Sequence, residues 1–251
     1  MEFYSFLGNK KIKVDLNSPI DISIPLTFSK KNLNAWGLSL PYKKPVRVGA
    51  WVGSVAEGGD LNCNDLYFNP HAHITHTECV GHIDSNNTSI NSKLKNFFFF
   101  AKLISVCPEK INGDLIITKK VVSEKIDSIQ LPFNSIIIRT LPNDINKKCK
   151  DYSNQNPPYF SEECIKYLVE IGINHLLIDL PSVDREKDDG HLKNHKIFFN
   201  LSGGGNENTI TEFVFISNTI IDADYFLNLQ FIPLENDASP SRPVLFKIDY
   251  K

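Results

Sequence analysis

Apolar and polar side chains alternate over residues 12–16, Ile12-Lys13-Val14-Asp15-Leu16, the period-two pattern of a half-buried strand. The alternation returns at Ile20-Asp21-Ile22-Ser23-Ile24 and stops at Pro25. Residues 97–106 form a stronger run, interrupted only by Lys102 and Ser105, and predict a strand covered on both faces. A short strand is expected at 114–117, and the β-branched run 135–140 predicts a buried strand closed by a turn at Pro142. Further strands are expected over 175–181, 210–216, 225–232 and 244–250. The clearest helix opens at Ser161, a residue type that caps the free N–H groups of a first turn. Glu162 and Glu163 complement the positive helix start, Ile165, Leu168 and Val169 make the apolar face, and Gly172 marks the stop.

Strand 135–140, this helix and strand 175–181 read as a βαβ unit, which places Asp179 to Asp184 in the post-strand loop where α/β proteins hold ligands. Residues 27–69 are rich in Gly, Pro, Asn and Lys and read as loops with short strands that shape a pocket. Gly203-Gly204-Gly205 reads as another loop. The whole is expected to be α/β: a single β-rich domain over residues 1–251 with few long helices.

Composition changes this picture little. A chain of 251 residues buries on the order of 70–75% of its unfolded surface, so it needs no disulfide staples. The formal net charge of -2 argues against nucleic acid as a partner, since phosphate neutralisation needs a basic face. The five cysteines, Cys63, Cys79, Cys107, Cys149 and Cys164, show no C-x-x-C spacing and point to a reducing, cytoplasmic setting. The N-terminus lacks the apolar run of a signal peptide, and no stretch is long enough to span a bilayer. The expected partner is a small-molecule substrate, with no membrane, in a homo-oligomer.

Histidine distribution carries the chemistry. Of seven histidines, four lie between residues 71 and 82: His71, His73, His76 and His82. Imidazole and carboxylate are the usual ligands for zinc-like metals. If residues 76–82 are extended, His76, Glu78 and His82 share one face. The bland alternative is a strand with incidental histidines. His175 falls inside a buried strand and reads as structural.

The segment Thr75-His76-Thr77-Glu78-Cys79-Val80-Gly81-His82 resembles the H-x-G-T-H-x-D-x-P-x-H signature of the cyclase-like metal-dependent hydrolases, a family that includes bacterial kynurenine formamidase and isatin hydrolase. Glu78 stands where that signature has Asp. In strict register the first His falls on Ala72, the Gly on Ile74 and the Pro on Val80. Asn69-Pro70-His71 fits a form with one extra residue, absorbed by a bulge or turn, and this favours His71 over His73. Asp21-Ile22-Ser23-Ile24-Pro25-Leu26 resembles the family's D-I-S-x-P-L opening, and 136–140 its central strand. Asp179-Leu180-Pro181-Ser182-Val183-Asp184 resembles its D-x-P-S-V-D loop, and Asp237 to Arg242 its D-x-S-P-x-R segment. These pieces keep family order.

The resemblance implies a domain of the cyclase/kynurenine formamidase type holding two divalent metal ions, zinc first and manganese as the alternative. It implies His71, His76, Glu78, His195 and Glu212 as ligands, with Glu78 bridging. His191, one helical turn before His195, reads as solvent-facing, and Glu207 is the competitor for Glu212. Glu212 lies in an apolar strand, where a charge is costly unless paired or metal-bound. His82 is the expected general acid/base, a role suited to imidazole near neutral pH. The implied reaction is amide hydrolysis of the arylformamidase kind, N-formylkynurenine to kynurenine and formate. Trp36, Trp51, Tyr67 and Phe68 are candidates for an aromatic pocket. The alternatives are an isatin-hydrolase-like lactam or ester hydrolase, and a metal-binding protein of this fold without turnover.

Overall fold

The computed structural model describes residues 1–126 and 133–251. An N-terminal hairpin, β1 (Glu2–Leu7) and β2 (Lys10–Asp15), precedes a one-turn helix α1 (Pro70–His73) and a short strand β3 (His76–Glu78). Then come β4 (Phe98–Val106), β5 (Ser135–Thr140), helix α2 (Glu162–Glu170), β6 (His175–Ile178), helix α3 (Lys193–Phe198), β7 (Thr209–Glu212), β8 (Asp224–Phe231) and β9 (Ala238–Tyr250). Strands β4, β5, β6 and β7 are parallel neighbours, and the other pairings of this sheet are antiparallel. The order β9-β8-β4-β5-β6-β7-β3 returns to β9, because β3 pairs with both β7 and β9. Seven strands thus close a barrel within a mixed α/β domain, and closure leaves no edge around that ring.

Alternate residues explain the two main cores. Ile136 and Ile138 of β5 point outward to pack with Leu176, Ile178 and Ile210 beneath α2 and α3. Ile137 points inward to Leu103, Leu177, Leu227 and Leu245. All three β5 isoleucines are fully buried, which is why this stretch shows no alternation in sequence. Helix α2 forms where its sequence suggests, with Ser161 Oγ accepting from the Cys164 N–H, but its buried face is Cys164, Ile165 and Leu168, and Val169, expected on that face, is exposed. At about 1.5–3 kcal/mol per fully buried aliphatic side chain, Ile165 and Leu168 hold it on the sheet.

Four expectations change. Strand β4 is not covered on both faces: Phe98 is 58% exposed, and Phe100, Lys102 and Ser105 are only half-buried. The strand foreseen over 210–216 ends at Glu212, because Phe213 takes φ +56°. Its neighbours still bond across: the Phe213 N–H donates to Leu180 and the Val214 N–H to Ile178, so the residue makes a bulge-like kink beside the acid. The strand foreseen over 244–250 starts at Ala238. Pro240 and Pro243 lie inside it, and proline disfavours a strand on sequence grounds; they are tolerated because β9 changes partners along its length, from β3 to β2. Residues 20–25 contribute only Ile20–Asp21 as a strand. Among the described residues no helix is long and apolar enough to cross a membrane.

Candidate metal centre

Register builds the site. On β3, His76 pairs with Glu212 of β7, and Glu78 with Ile210, so both β3 side chains share the outer sheet face beneath α3. The intervening Thr77 faces inward, its hydroxyl 2.8 Å from that of Thr211. His76 Nε2 lies 3.4 Å from Glu212 Oε2. Glu78 is central: its carboxylate oxygens lie 3.2 Å from His71 Nδ1, 3.1 Å from His195 Nε2 and 3.9 Å from His82 Nδ1. His76, Glu78, His195 and Glu212 are buried, while His71 and His82 form the open rim.

The turn that carries His71 is α1. Pro70 sits in its first turn, where a missing N–H costs nothing, and the Asn69 side chain accepts from the His71 N–H at 2.9 Å. His71 therefore swings toward Glu78. His73 points elsewhere: its Nδ1 accepts from the Asn69 N–H at 2.9 Å.

The extended reading of 76–82 is corrected. The strand stops at Glu78 and Val80–His82 is a tight 3-10 turn, which folds His82 back over the carboxylate. Gly81 permits this through close approach. A Cβ built there would lie 1.7 Å from the Thr88 carbonyl oxygen, well inside van der Waals contact. His82 stacks on His71, with ring centroids 4.3 Å apart.

Two acids missing from the sequence-based ligand set complete the cluster. Asp237 Oδ2 lies 2.8 Å from His71 Nε2 and 2.9 Å from His82 Nδ1. Asp184 Oδ2 lies 2.6 Å from His195 Nδ1 and orients that ring. Both residues belong to the segments D-x-S-P-x-R and D-x-P-S-V-D, the signal that could have found them. His191 and Glu207 are exposed and join none of the three metal-competent groups. His175 packs on Phe99 with centroids 4.2 Å apart and bonds Thr209.

Electrostatics follow from burial and crowding. Burial opposes the charged form of Glu78, yet the fields of His82, His195 and His71 hold its carboxyl well below the usual range. Glu212 goes the other way, raised by burial and by the Glu78 charge. Burial pulls His71 down, but Asp237 and Glu78 overcome it and push the ring up to about 10. His195 is likewise pushed up to about 10, by Asp184 and Glu78 against burial. His76, buried and beside His71, falls to about 3. A ligating imidazole must be neutral, so a metal held by His71 and His195 would have to displace protons from them near neutral pH and would be held less well as pH falls.

The donor set fits a divalent metal. His76 Nε2, both Glu78 oxygens and Glu212 Oε1 are buried without a hydrogen-bond partner, an arrangement that is costly unless something else compensates these atoms. Three overlapping groups have ligand atoms within 4.8 Å of one another: His71, His76, Glu78; His71, His82, Asp237; and Glu78, His82, His195. His71→Ala is expected to lower metal stoichiometry while His73→Ala leaves it intact. Elemental analysis finding the loss in His73→Ala alone would reverse the assignment.

Residues 14–185 match the model of a family described as putative cyclase. No curated protein sequence matches. A solved structure of a potential metal-dependent hydrolase with cyclase activity superposes with a TM-score of 0.63 at 19% identity, covering 92% of this chain and 98% of the other. The predicted metal-dependent hydrolase of Bacillus stearothermophilus gives 0.62 at 18%, covering 91% and 98%. Isatin hydrolase A of Labrenzia aggregata, bound to benzyl benzoate, gives 0.63 at 12%, covering 91% and 93%. At these identities the likeness is one of fold.

Proposed function

Because the chain belongs to the putative cyclase family, we propose that it is a metal-dependent hydrolase of an amide bond, with an arylformamide such as N-formylkynurenine as substrate. The observation that carries this reading is the convergence of buried, unpartnered imidazole and carboxylate atoms on one open-rimmed site. His71, His76, Glu78, His195 and Glu212 would hold two divalent ions, zinc or manganese, with Glu78 placed to serve both. Bound there, the ions would polarise the scissile carbonyl and make water nucleophilic at neutral pH.

The protein's own side chains account for the rest. Hydrolysis breaks the C–N bond, and the departing aniline nitrogen needs a proton. His82 stands on the rim, with its side chain 29% exposed, and can reach a substrate that His76 and His195 cannot. Its Nδ1 is held by Asp237, which leaves Nε2 to deliver the proton. Asp237 is assigned a positioning role, since its carboxylate bonds the His82 and His71 rings. Beside the rim, the Trp36 indole N–H donates to the His71 carbonyl at 2.9 Å, and Trp36 takes φ +63°. Tyr67 stacks on Tyr42 with ring centroids 4.5 Å apart. An aryl substrate has flat apolar surface to meet at Trp36.

A lactam is the second substrate class. It rests on the isatin hydrolase structures that share the fold, one of them bound to the product analogue thioisatinate. The deciding experiment is elemental analysis of protein reconstituted with zinc or manganese, followed by assays on N-formylkynurenine, isatin and an aryl ester. About two metal equivalents and formate release are expected. Absence of bound metal after reconstitution sinks the hydrolase reading. Full metal occupancy with all three substrates untouched leaves a metal-binding protein of this fold.

A further inference from the structure

We propose that the cavity at the carboxyl ends of β4, β5 and β6 is a second ligand site, one that takes a small organic anion with an apolar body. The cavity holds about 640 Å³, within the size range of small-molecule pockets. Leu115, Pro142, Tyr152 and Leu180 supply apolar wall, and the charged side chains that line it, Lys147 and Lys150, are both cationic. The carboxyl ends of parallel strands are where α/β sheets place ligands, and the metal centre uses a different sector of this barrel.

The two lysines differ in what they can offer. Lys147 is nearly buried and spends all three N–H donors: on the Thr140 carbonyl at 2.7 Å, the Thr140 hydroxyl at 2.8 Å and Asp179 Oδ2 at 2.8 Å. Asp179 neutralises it, so this pair forms a fixed polar floor. Lys150 is exposed, with its ammonium 5.0 Å from the centroid of the Tyr152 ring. Among the described residues no carboxylate lies within ion-pair distance of it. The mouth therefore presents an available cation above an apolar wall, and Leu115, 43% exposed, leaves part of that wall open to water. A ligand that fills the cavity covers Leu115 and sets its anionic group against Lys150. Apolar contact supplies affinity, and Lys150 supplies the preference for charge.

The site is independent of the metals. Tyr152 and Phe213, with centroids 5.7 Å apart, stand between the cavity and His76, whose ring lies 5.8 Å from Phe213. Its test is therefore separable from that of the hydrolase reading. The probes are 2-naphthoate and its neutral counterpart naphthalene-2-methanol, titrated calorimetrically into metal-loaded and chelator-treated protein. Saturable one-to-one binding of naphthoate is expected in both. Lys150→Glu is expected to weaken naphthoate about tenfold, since an attraction becomes a repulsion, and to change the neutral probe less than about twofold. Leu115→Asp is expected to weaken both probes. Both side chains are exposed, so neither variant disturbs the core. Naphthoate affinity indifferent to both substitutions, or binding that disappears on chelation, overturns the proposal. So does self-association that Leu115→Asp disrupts in the absence of naphthoate binding, which would give the cavity to a second copy of the chain.

Discussion

Glu78→Gln is expected to abolish turnover and to strip metal from the protein. The substitution keeps the shape of the side chain and removes its charge, so the effect reads electrostatics and ligation without a packing change. Glu78 is fully buried, and its two oxygens face His71, His195 and His82 at 3.1–3.9 Å. Removing one member of a buried charged cluster costs about 3–5 kcal/mol, and a metal-binding free energy reduced by that amount is an affinity loss of about 10²–10⁴-fold. Elemental analysis after dialysis and a kcat measurement at saturating metal check the two parts. Unchanged stoichiometry together with unchanged kcat would remove Glu78 from the centre of the site. Glu78→Asp is the milder variant. It shortens the reach by about one methylene, and partial activity is expected, because the family signature that this segment resembles carries Asp here.

His82→Ala is expected to keep the metal content and the fold while lowering kcat by about 10²–10⁴, the range for a lost general acid/base. The separation of metal content from rate is what distinguishes His82 from the other histidines. His82 lies on the open rim and is held from behind by Asp237, whereas His76 and His195 are enclosed. Asp237→Asn is expected to reduce kcat less than His82→Ala, with KM little changed, because the ring remains but loses its orientation. If His82→Ala loses metal in proportion to activity, His82 is a ligand, as the groups that pair it with His71 and Asp237 or with Glu78 and His195 allow. A near-normal rate would take it out of the mechanism.

The comparison of sequence and structure divides along a physical line. Elements whose identity depends on short-range pattern were legible: the β-branched run of β5, the apolar run of β4, and α2 with Ser161 as its cap. So was the place of the chemistry, since four histidines within twelve residues stand out in any reading. The quoted family segments also contained every acid that the structure brings to the cluster, apart from Glu212, which family position suggested.

Tertiary structure decided what pattern cannot encode. Whether His71 or His73 meets Glu78 depends on one turn of helix between Asn69 and Ile74, where a small change in backbone angles redirects each side chain. The position of His82 depends on a tight turn that Gly81 allows by packing against the Thr88 carbonyl, a contact that no local periodicity records. Asp237 reaches His82 across 155 residues of chain, and His76 meets Glu212 only because β3 and β7 pair in that register. Strand period shows which side chains share a face, but it does not say which strands become neighbours. Closure of the barrel made that choice, and with it turned scattered imidazoles and carboxylates into a single site.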